Sequence, residues 1–245
     1  MRDKNESLTI MVPAYNEEVG LESTVRGLVK CFDQALVDYE IIIFNDCSHD
    51  RTPDIARALA VEFPQIRCVH NEINRGLGYN ISQGIQQSQK DHFIMCPGDN
   101  ENSPESVLAI YQARGEADLV IPYPTNSSIR GWKRVLISRI YVLLMNFLTG
   151  YRLQYYNGTC LIPVAYAKEV PVETYGFSFQ AEMLVNLLKR GLTYVEFPFE
   201  ISPSRKNQSS AFRLKNIISV GKTLLRLLLR SMRSDRLADQ KHPTF

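Results

Sequence analysis

His92-Phe93-Ile94-Met95-Cys96-Pro97-Gly98-Asp99-Asn100-Glu101-Asn102 is the stretch on which the reading of this chain turns. Its first half is an apolar run of the length of a buried strand. The Pro-Gly pair ends that run, and two carboxylates, Asp99 and Glu101, stand just beyond it. In an open α/β sheet the ligand crevice lies outside the carboxyl ends of the strands, so acids delivered there point to a site. Acids two apart in an extended loop can face one side and share a hard cation through oxygen ligands, which in turn would hold a diphosphate. An isolated Asp-x-Glu is more often a solvated turn, so the weight comes from the rest of the chain.

Upstream, the apolar runs Leu8–Val12, Tyr39–Phe44 and Ile66–His70 alternate with segments of helical character. The first run passes through Pro13-Ala14-Tyr15-Asn16-Glu17-Glu18 into a helix ending near Phe32. The second ends in Asn45-Asp46-Cys47-Ser48-His49-Asp50, where Ser48 or Asp50 can cap a helix with Pro53 in its first turn. The third leads through Asn74-Arg75-Gly76-Leu77-Gly78 into a helix ending near Ser88. Strand and helix in alternation predict a parallel sheet flanked by helices, the α/β class. Polar signals recur at strand ends: Asn16 and Glu17, then Asp46, then Asp99. Three at one sheet edge point to a nucleotide-sized crevice. No Gly-x-Gly-x-x-Gly follows the first strand and no full Gly-x-x-x-x-Gly-Lys-Ser/Thr occurs (Gly221-Lys222-Thr223 lacks the leading glycine, position 216 being Asn), which argues against dinucleotide and phosphate-loop chemistry.

Beyond Asp99, a helix over Pro104–Arg114 with Ser103 as cap and a strand over Ala117–Ile121 are expected. Val135–Leu148 reads as an apolar helix that belongs either to the core or to an interface. A turn into a strand at Tyr155–Ile162, a helix over Gly176–Arg190 closed by Gly191, and a last strand over Tyr194–Ile201 complete the expected domain.

The 245 residues suit one large domain, residues 1–210, with an appendage; 44% apolar and 22% charged residues are ordinary for a globular protein. The five cysteines are scattered without metal spacing and read as reduced thiols of a cytosolic setting. Met1–Ser7 carries no signal-peptide core, and no apolar run is long enough to span a membrane. The net charge of +2 hides a split: residues 205–236 hold nine Lys or Arg and one Asp, a balance of +8, so the first 204 residues carry −6 (the last nine residues cancel). The appendage, residues 211–236, reads as a basic amphipathic helix suited to an anionic membrane surface or to packing on protein, and residues 237–245 as a disordered tail.

Pro13-Ala14-Tyr15-Asn16-Glu17, Asn45-Asp46-Cys47-Ser48, Asn74-Arg75-Gly76-Leu77-Gly78 and the acidic turn at Asp99 come in the order found in family 2 glycosyltransferases. Trp132–Ser138, Gly176–Glu182 and the basic loop Arg205–Ser210 resemble the branch similar to dolichol-phosphate mannose synthase. The resemblance implies a GT-A fold and a nucleotide-sugar donor, UDP- or GDP-linked, with no nucleic-acid partner. Pro13, Ala14, Tyr15, Glu17 and Arg75 would line the nucleotide, and Asp46 would receive the base edge. Asp99 and Glu101 would hold Mg²⁺ or Mn²⁺ on the diphosphate. Arg134, Arg205 and Ser209 would meet acceptor or donor phosphates, a task suited to arginine. The Phe177–Glu182 segment would form the acceptor side, with Glu182 the general base if the acceptor is a hydroxyl, or else a carboxylate paired with a nearby cation. A polyprenyl phosphate acceptor would place the protein in the cytoplasm, peripheral on the inner face of a membrane.

Three departures from the family pattern stand out. Pro97 occupies a position commonly acidic, Asn45 replaces the usual second Asp beside Asp46, and Pro122-Tyr123-Pro124 stand where an arginine is often found. Glu101, charged where relatives often have Gln, can compensate for Pro97. The rival readings are a degenerate relative that binds nucleotide without transfer, and a soluble enzyme with a sugar or small-molecule acceptor.

Overall fold

A computed structural model describes residues 6–170 and 179–202. The expected elements at residues 171–178 and 203–245 lie outside the described residues. Those include Phe177, Arg205, Ser209 and the basic amphipathic helix.

Strands β1 (Leu8–Ala14), β2 (Tyr39–Asn45), β3 (Ile66–His70) and β4 (His92–Met95) pair in parallel, and β6 (Ile162–Pro163) joins β4 antiparallel, in the order β3-β2-β1-β4-β6. The sequence of β2 is buried throughout because helices cover both faces. The two-residue period of a strand then divides its side chains between two cores. Leu8, Ile10 and Val12 of β1 with Ile41 and Ile43 of β2 face α1 (Leu21–Gln34), α2 (Thr52–Glu62) and α4 (Pro104–Gln112). Met11, Ile42 and Phe44 face the other way, toward α3 (Leu77–Gln87), α6 (Val164–Glu169) and α7 (Phe179–Lys189). In α1 the buried set Leu21, Val25, Leu28 and Phe32 recurs at three- and four-residue intervals, one stripe of a helix laid on the sheet. Ser103 caps α4 by accepting the Ser106 N–H at 3.1 Å, as expected.

A second sheet pairs β5 (Leu119–Pro124) in parallel with β7 (Tyr194–Phe199). The strand runs three residues past the expected end at Ile121, through two prolines. Leu119 and Thr125 donate toward β7, whereas the intervening Val120 N–H points the other way, to Leu161 O at 3.2 Å. Pro122 and Pro124 share the parity of Val120, so their missing N–H groups fall on the edge away from β7. The short helix α6 was not expected.

The apolar segment expected at Val135–Leu148 is α5, Trp132–Thr149. Of the two placements open to it, the structure supports the interface: Met145 is its one fully buried residue, while Trp132, Leu143 and Phe147 are 71%, 70% and 84% exposed.

Strand order reverses between β1 and β4, which makes their carboxyl ends the switch point of the sheet. There, α1 begins against the Asp99 turn. A Cβ on Gly20 would lie 2.7 Å from Gly98 O and 3.2 Å from Asp99 Cα, closer than backbone tolerates. Gly20→Ala should therefore displace the turn and destabilise the protein by about 1–2 kcal/mol, overpacking offset in part by reduced chain entropy. Urea denaturation checks this. The same residue change at Gly115, where a Cβ meets nothing, should leave stability at or above wild type.

Candidate active site

Three strands deliver their loops to the same edge, and each loop contains a non-glycine residue in left-handed conformation: Asn16 at φ 54°, Cys47 at φ 61° and Asn100 at φ 64°. Asparagine tolerates this region, and such conformations concentrate where the surrounding structure imposes them. Side chains stitch the first two loops together. Asn16 N–H donates to Ser48 Oγ at 3.0 Å, His49 N–H to Asn16 Oδ1 at 2.9 Å, and Glu17 N–H to Thr52 Oγ1 at 2.8 Å. Asp50 accepts from the N–H groups of Thr52 at 2.9 Å and Glu18 at 3.2 Å. Burial works to raise the Asp50 carboxyl, but the Thr52 hydroxyl, followed by these backbone N–H groups, outweighs it and holds the group below its usual range. Asp50 thus lies one residue before the N-cap of α2, where it ties two loops together.

Asp46 sits deeper, at 5% exposure. Its Oδ1 accepts from Asn71 Nδ2 and Arg75 N–H, both at 2.8 Å, and its Oδ2 accepts from Gly76 N–H at 2.8 Å. The expectation that Asp46 receives a base edge meets a carboxylate already engaged: it anchors the Asn74–Gly78 loop. Arg75 itself is exposed and lies over the Tyr79 ring at 5.5 Å. Asn45 donates to His70 Nδ1 at 3.2 Å and accepts the Ser48 N–H, so an amide does there what two like carboxylates side by side would resist.

The third loop carries the acids. Asn100 is clamped to α1 by Thr24 Oγ1 at 2.9 Å and Ser23 Oγ at 2.7 Å. Asp99 Oδ1 accepts the Glu101 N–H at 3.0 Å, and among the described residues Asp99 Oδ2 takes no hydrogen bond. Glu101 Oε1 is held by Arg130, whose Nε stands at 2.7 Å and whose terminal nitrogen also donates to that oxygen. Arg130 donates further to Tyr155 Oη at 3.3 Å. Arg134, in the first turn of α5, is half-buried without a hydrogen bond or ion pair among the described residues. Burial, then the neighbouring Arg130 charge, lowers its guanidinium pKa, while Glu101, Tyr155 and Asp99 pull it back. The Cys96 thiol beneath the turn is pushed up to about 12 by burial and secondarily by Asp99, which makes it inert as a nucleophile.

Of the sequence-predicted residues, Pro13, Ala14, Tyr15, Glu17 and Asp46 come together with Asp99, Glu101 and Arg134 at this one edge; Tyr15 is exposed there and Ala14 buried. Glu182 is 3% exposed on α7. Arg130 went unnoticed in the sequence. It lies 29 residues from Glu101, on a short 3-10 turn at Ser127–Arg130, and only the turn brings the two together.

Such donor atoms suit a hard divalent cation: among the described residues no cluster of three His, Cys, Asp or Glu exists, but Asp99 and Glu101 each keep one oxygen without a hydrogen bond. That fits an ion that takes most of its shell from phosphate and water, not a closed protein cage.

A helix-flanked, mostly parallel sheet with acids at its switch point is the frame of the GT-A glycosyltransferases, and structural neighbours agree. Glucosyl-3-phosphoglycerate synthase of Mycobacterium tuberculosis, crystallised with Mn²⁺, UDP and phosphoglyceric acid, superposes with a TM-score of 0.68 at 18% identity, covering 92% of this chain and 78% of that one. The profile of glycosyl transferase family 2 matches residues 9–167, and the chain belongs to that family. Among curated relatives, undecaprenyl-phosphate mannosyltransferase of Micrococcus luteus is 27% identical, over 78% of this chain and 81% of that protein. Glycosyltransferase AglD of Haloferax volcanii is 26% identical over 89% of this chain but 36% of its own length. Dolichol-phosphate mannosyltransferase of Pyrococcus furiosus is 27% identical over 54% of this chain and 38% of its own. The chain thus spans less than half the length of four of the curated relatives it matches.

Asp46→Asn should loosen the Asn74–Gly78 loop, because the amide puts N–H against at least one of three donors. The expected loss is about 1–3 kcal/mol. Hydrogen exchange at the Arg75 and Gly76 amides should accelerate in the same variant.

Proposed function

We propose that this protein transfers a sugar from a nucleotide-linked donor, UDP- or GDP-based, to a polyprenyl phosphate, with inversion at the anomeric carbon. The observation that carries the reading is the placement of Asp99, at the switch point near the half-buried Arg134; among the described residues one Asp99 carboxylate oxygen takes no hydrogen bond and Arg134 has no ion pair. Donor and acceptor supply complements to both: the diphosphate brings oxygens for a shared cation at Asp99, and the acceptor phosphate brings negative charge for the arginine. A divalent cation, when bound, stabilises the charge of the departing diphosphate. Asp99 orients the diphosphate end of the donor, and the Pro13–Glu17 loop, with Tyr15 exposed, lines its nucleoside. Arg134 draws the acceptor phosphate to the anomeric carbon. A phosphate oxygen then forms the new bond as the bond to the nucleoside diphosphate breaks. A phosphate monoester is already anionic near pH 7, so no general base is required. Glu182 takes that role only for a hydroxyl acceptor.

Relatives named for undecaprenyl and dolichol phosphate support a lipid acceptor, and so does α5. At 100° per residue, Leu136, Ile140, Leu143 and Phe147 form one outward stripe; Lys133 and Arg139 fall about 60° to either side of it, and Arg134 about 160° away, on the Met145 side. The helix carries no acid. An apolar stripe flanked by cations fits an anionic lipid surface, and the same helix turns Arg134 inward to the site. Among the described residues no helix is long and apolar enough to cross a membrane.

The second reading, nucleotide binding without transfer, is favoured by Pro97, which leaves the turn one acid short. Labelled donor with polyprenyl phosphate and Mn²⁺ separates the two. Transfer by wild type, lost with chelator and reduced roughly a hundredfold or more by Asp99→Ala, supports the enzyme. Nucleotide binding with no transfer supports the second reading. A thermal-shift panel of nucleoside diphosphates with Mn²⁺ identifies the base, since stabilisation follows occupancy. For the surface, the exposed changes Ile140→Glu and Phe147→Glu together should reduce flotation with anionic vesicles while leaving the melting temperature unchanged. Equal flotation of variant and wild type removes α5 from the argument.

A further inference from the structure

Arg130 spends two N–H groups on a single oxygen of Glu101, and among the described residues Oε2 takes no hydrogen bond. A planar guanidinium meeting a carboxylate commonly takes both oxygens, so this pair is lopsided. It is also largely out of water, with the two side chains 16% and 14% exposed. The backbone on both sides of it is pinned. Glu101 O accepts the Ser202 N–H at 2.9 Å. Asn126, at the start of the Arg130 turn, exchanges hydrogen bonds with Ile201 at 2.9 and 3.0 Å. The turn ends at Gly131 with φ 85°, where a side chain would be strained by conformation alone. Arg130 is thus held in place opposite the acid loop.

With Pro97 in place of an acid, the turn offers Asp99 and Glu101 to any cation, and Arg130 already occupies part of the second. From this geometry we infer that Arg130 and a divalent cation compete for Glu101, so that metal loading is coupled to the arrival of phosphate. While paired with Glu101, Arg130 neutralises it and weakens its pull on a cation. A phosphate or diphosphate entering beside Arg134 offers Arg130 a second anion with fork-matching oxygens, and Arg130 transfers its hydrogen bonds there. Glu101 is then free to ligate. Nucleotide and metal strengthen each other through this exchange, and the coupling is reciprocal. Arg130 is a positioning residue in this scheme and acts through Glu101. The inference rests on the reading that the Asp99 turn takes a divalent cation.

Mn²⁺ binding to the full chain, read by the electron-paramagnetic signal of the free ion with and without UDP or GDP, tests it. Arg130→Gln should bind Mn²⁺ alone roughly tenfold more tightly than wild type, and the nucleotide-induced gain in Mn²⁺ affinity should shrink by a similar factor. The variant leaves Glu101 uncompensated, so its melting temperature should fall and Mn²⁺ should restore it. In the Glu101→Gln background, Arg130→Gln should no longer change Mn²⁺ affinity, because the contested carboxylate is gone. Arg130→Lys, which keeps the charge, covers the case in which the glutamine variant does not fold, and should bind Mn²⁺ between the two. Unchanged or weaker Mn²⁺ binding by folded Arg130 variants overturns the competition while leaving the metal site standing. Absence of Mn²⁺ binding to wild type with either nucleotide overturns the metal reading itself and this inference with it.

Discussion

Parallel pairing of β1 with both β2 and β4 is the constraint from which the rest follows. Parallel strands all point the same way, so the loops after them must emerge at one edge. Because β2 and β4 flank β1, the three loops are also neighbours. Polar groups of the first two, 32 to 35 residues apart in the chain, are brought within hydrogen-bonding reach and then fixed by side-chain-to-backbone bonds. Burying so many loop amides without such partners would be unfavourable, and Ser48, Asp50, Thr52 and Asp46 supply the partners. Much of what looks like a ligand-binding motif is therefore also scaffolding.

This double duty matters most at Asp46. A buried carboxylate that accepts three hydrogen bonds holds in place the loop that supplies them. Asp99 is the opposite case: its turn is pressed against Gly20 and clamped through Asn100, yet among the described residues one carboxylate oxygen takes no hydrogen bond. Rigid support with an unengaged donor is what a ligand site requires.

The second feature of consequence is α5. An eighteen-residue helix with a single fully buried residue has not been placed by the core alone. Its inner face joins the domain through Met145 and carries Arg134 to the acid loop, while its outer face remains apolar. Surface of that character is uncommon on a protein with no partner, and here it begins at the mouth of the site. The proposed lipid acceptor gives one reason for both faces.

The alternation of strand and helix, the parallel sheet and the strand-end location of Asp99 were all legible in the sequence, since they depend on local periodicity and on turn residues. The family was legible for a related reason: its motifs are short and ordered along the chain. The placement of α5 was not legible, because an apolar helix reads the same whether its face meets a core or solvent. Nor was the engagement of Asp46, whose partners Arg75 and Gly76 lie some thirty residues away and bind through backbone groups that no residue type reveals. Arg130 is the clearest instance. Nothing in Ser127–Arg130 announces a partner, and its pairing with Glu101 exists because β5, β7 and the Asn126–Ile201 clamp bring that turn across the acid loop. The sequence by itself determined which chemical groups stand at strand ends; only the tertiary structure decided which of them are already spoken for, because hydrogen bonds and ion pairs depend on distances that the order of residues does not contain.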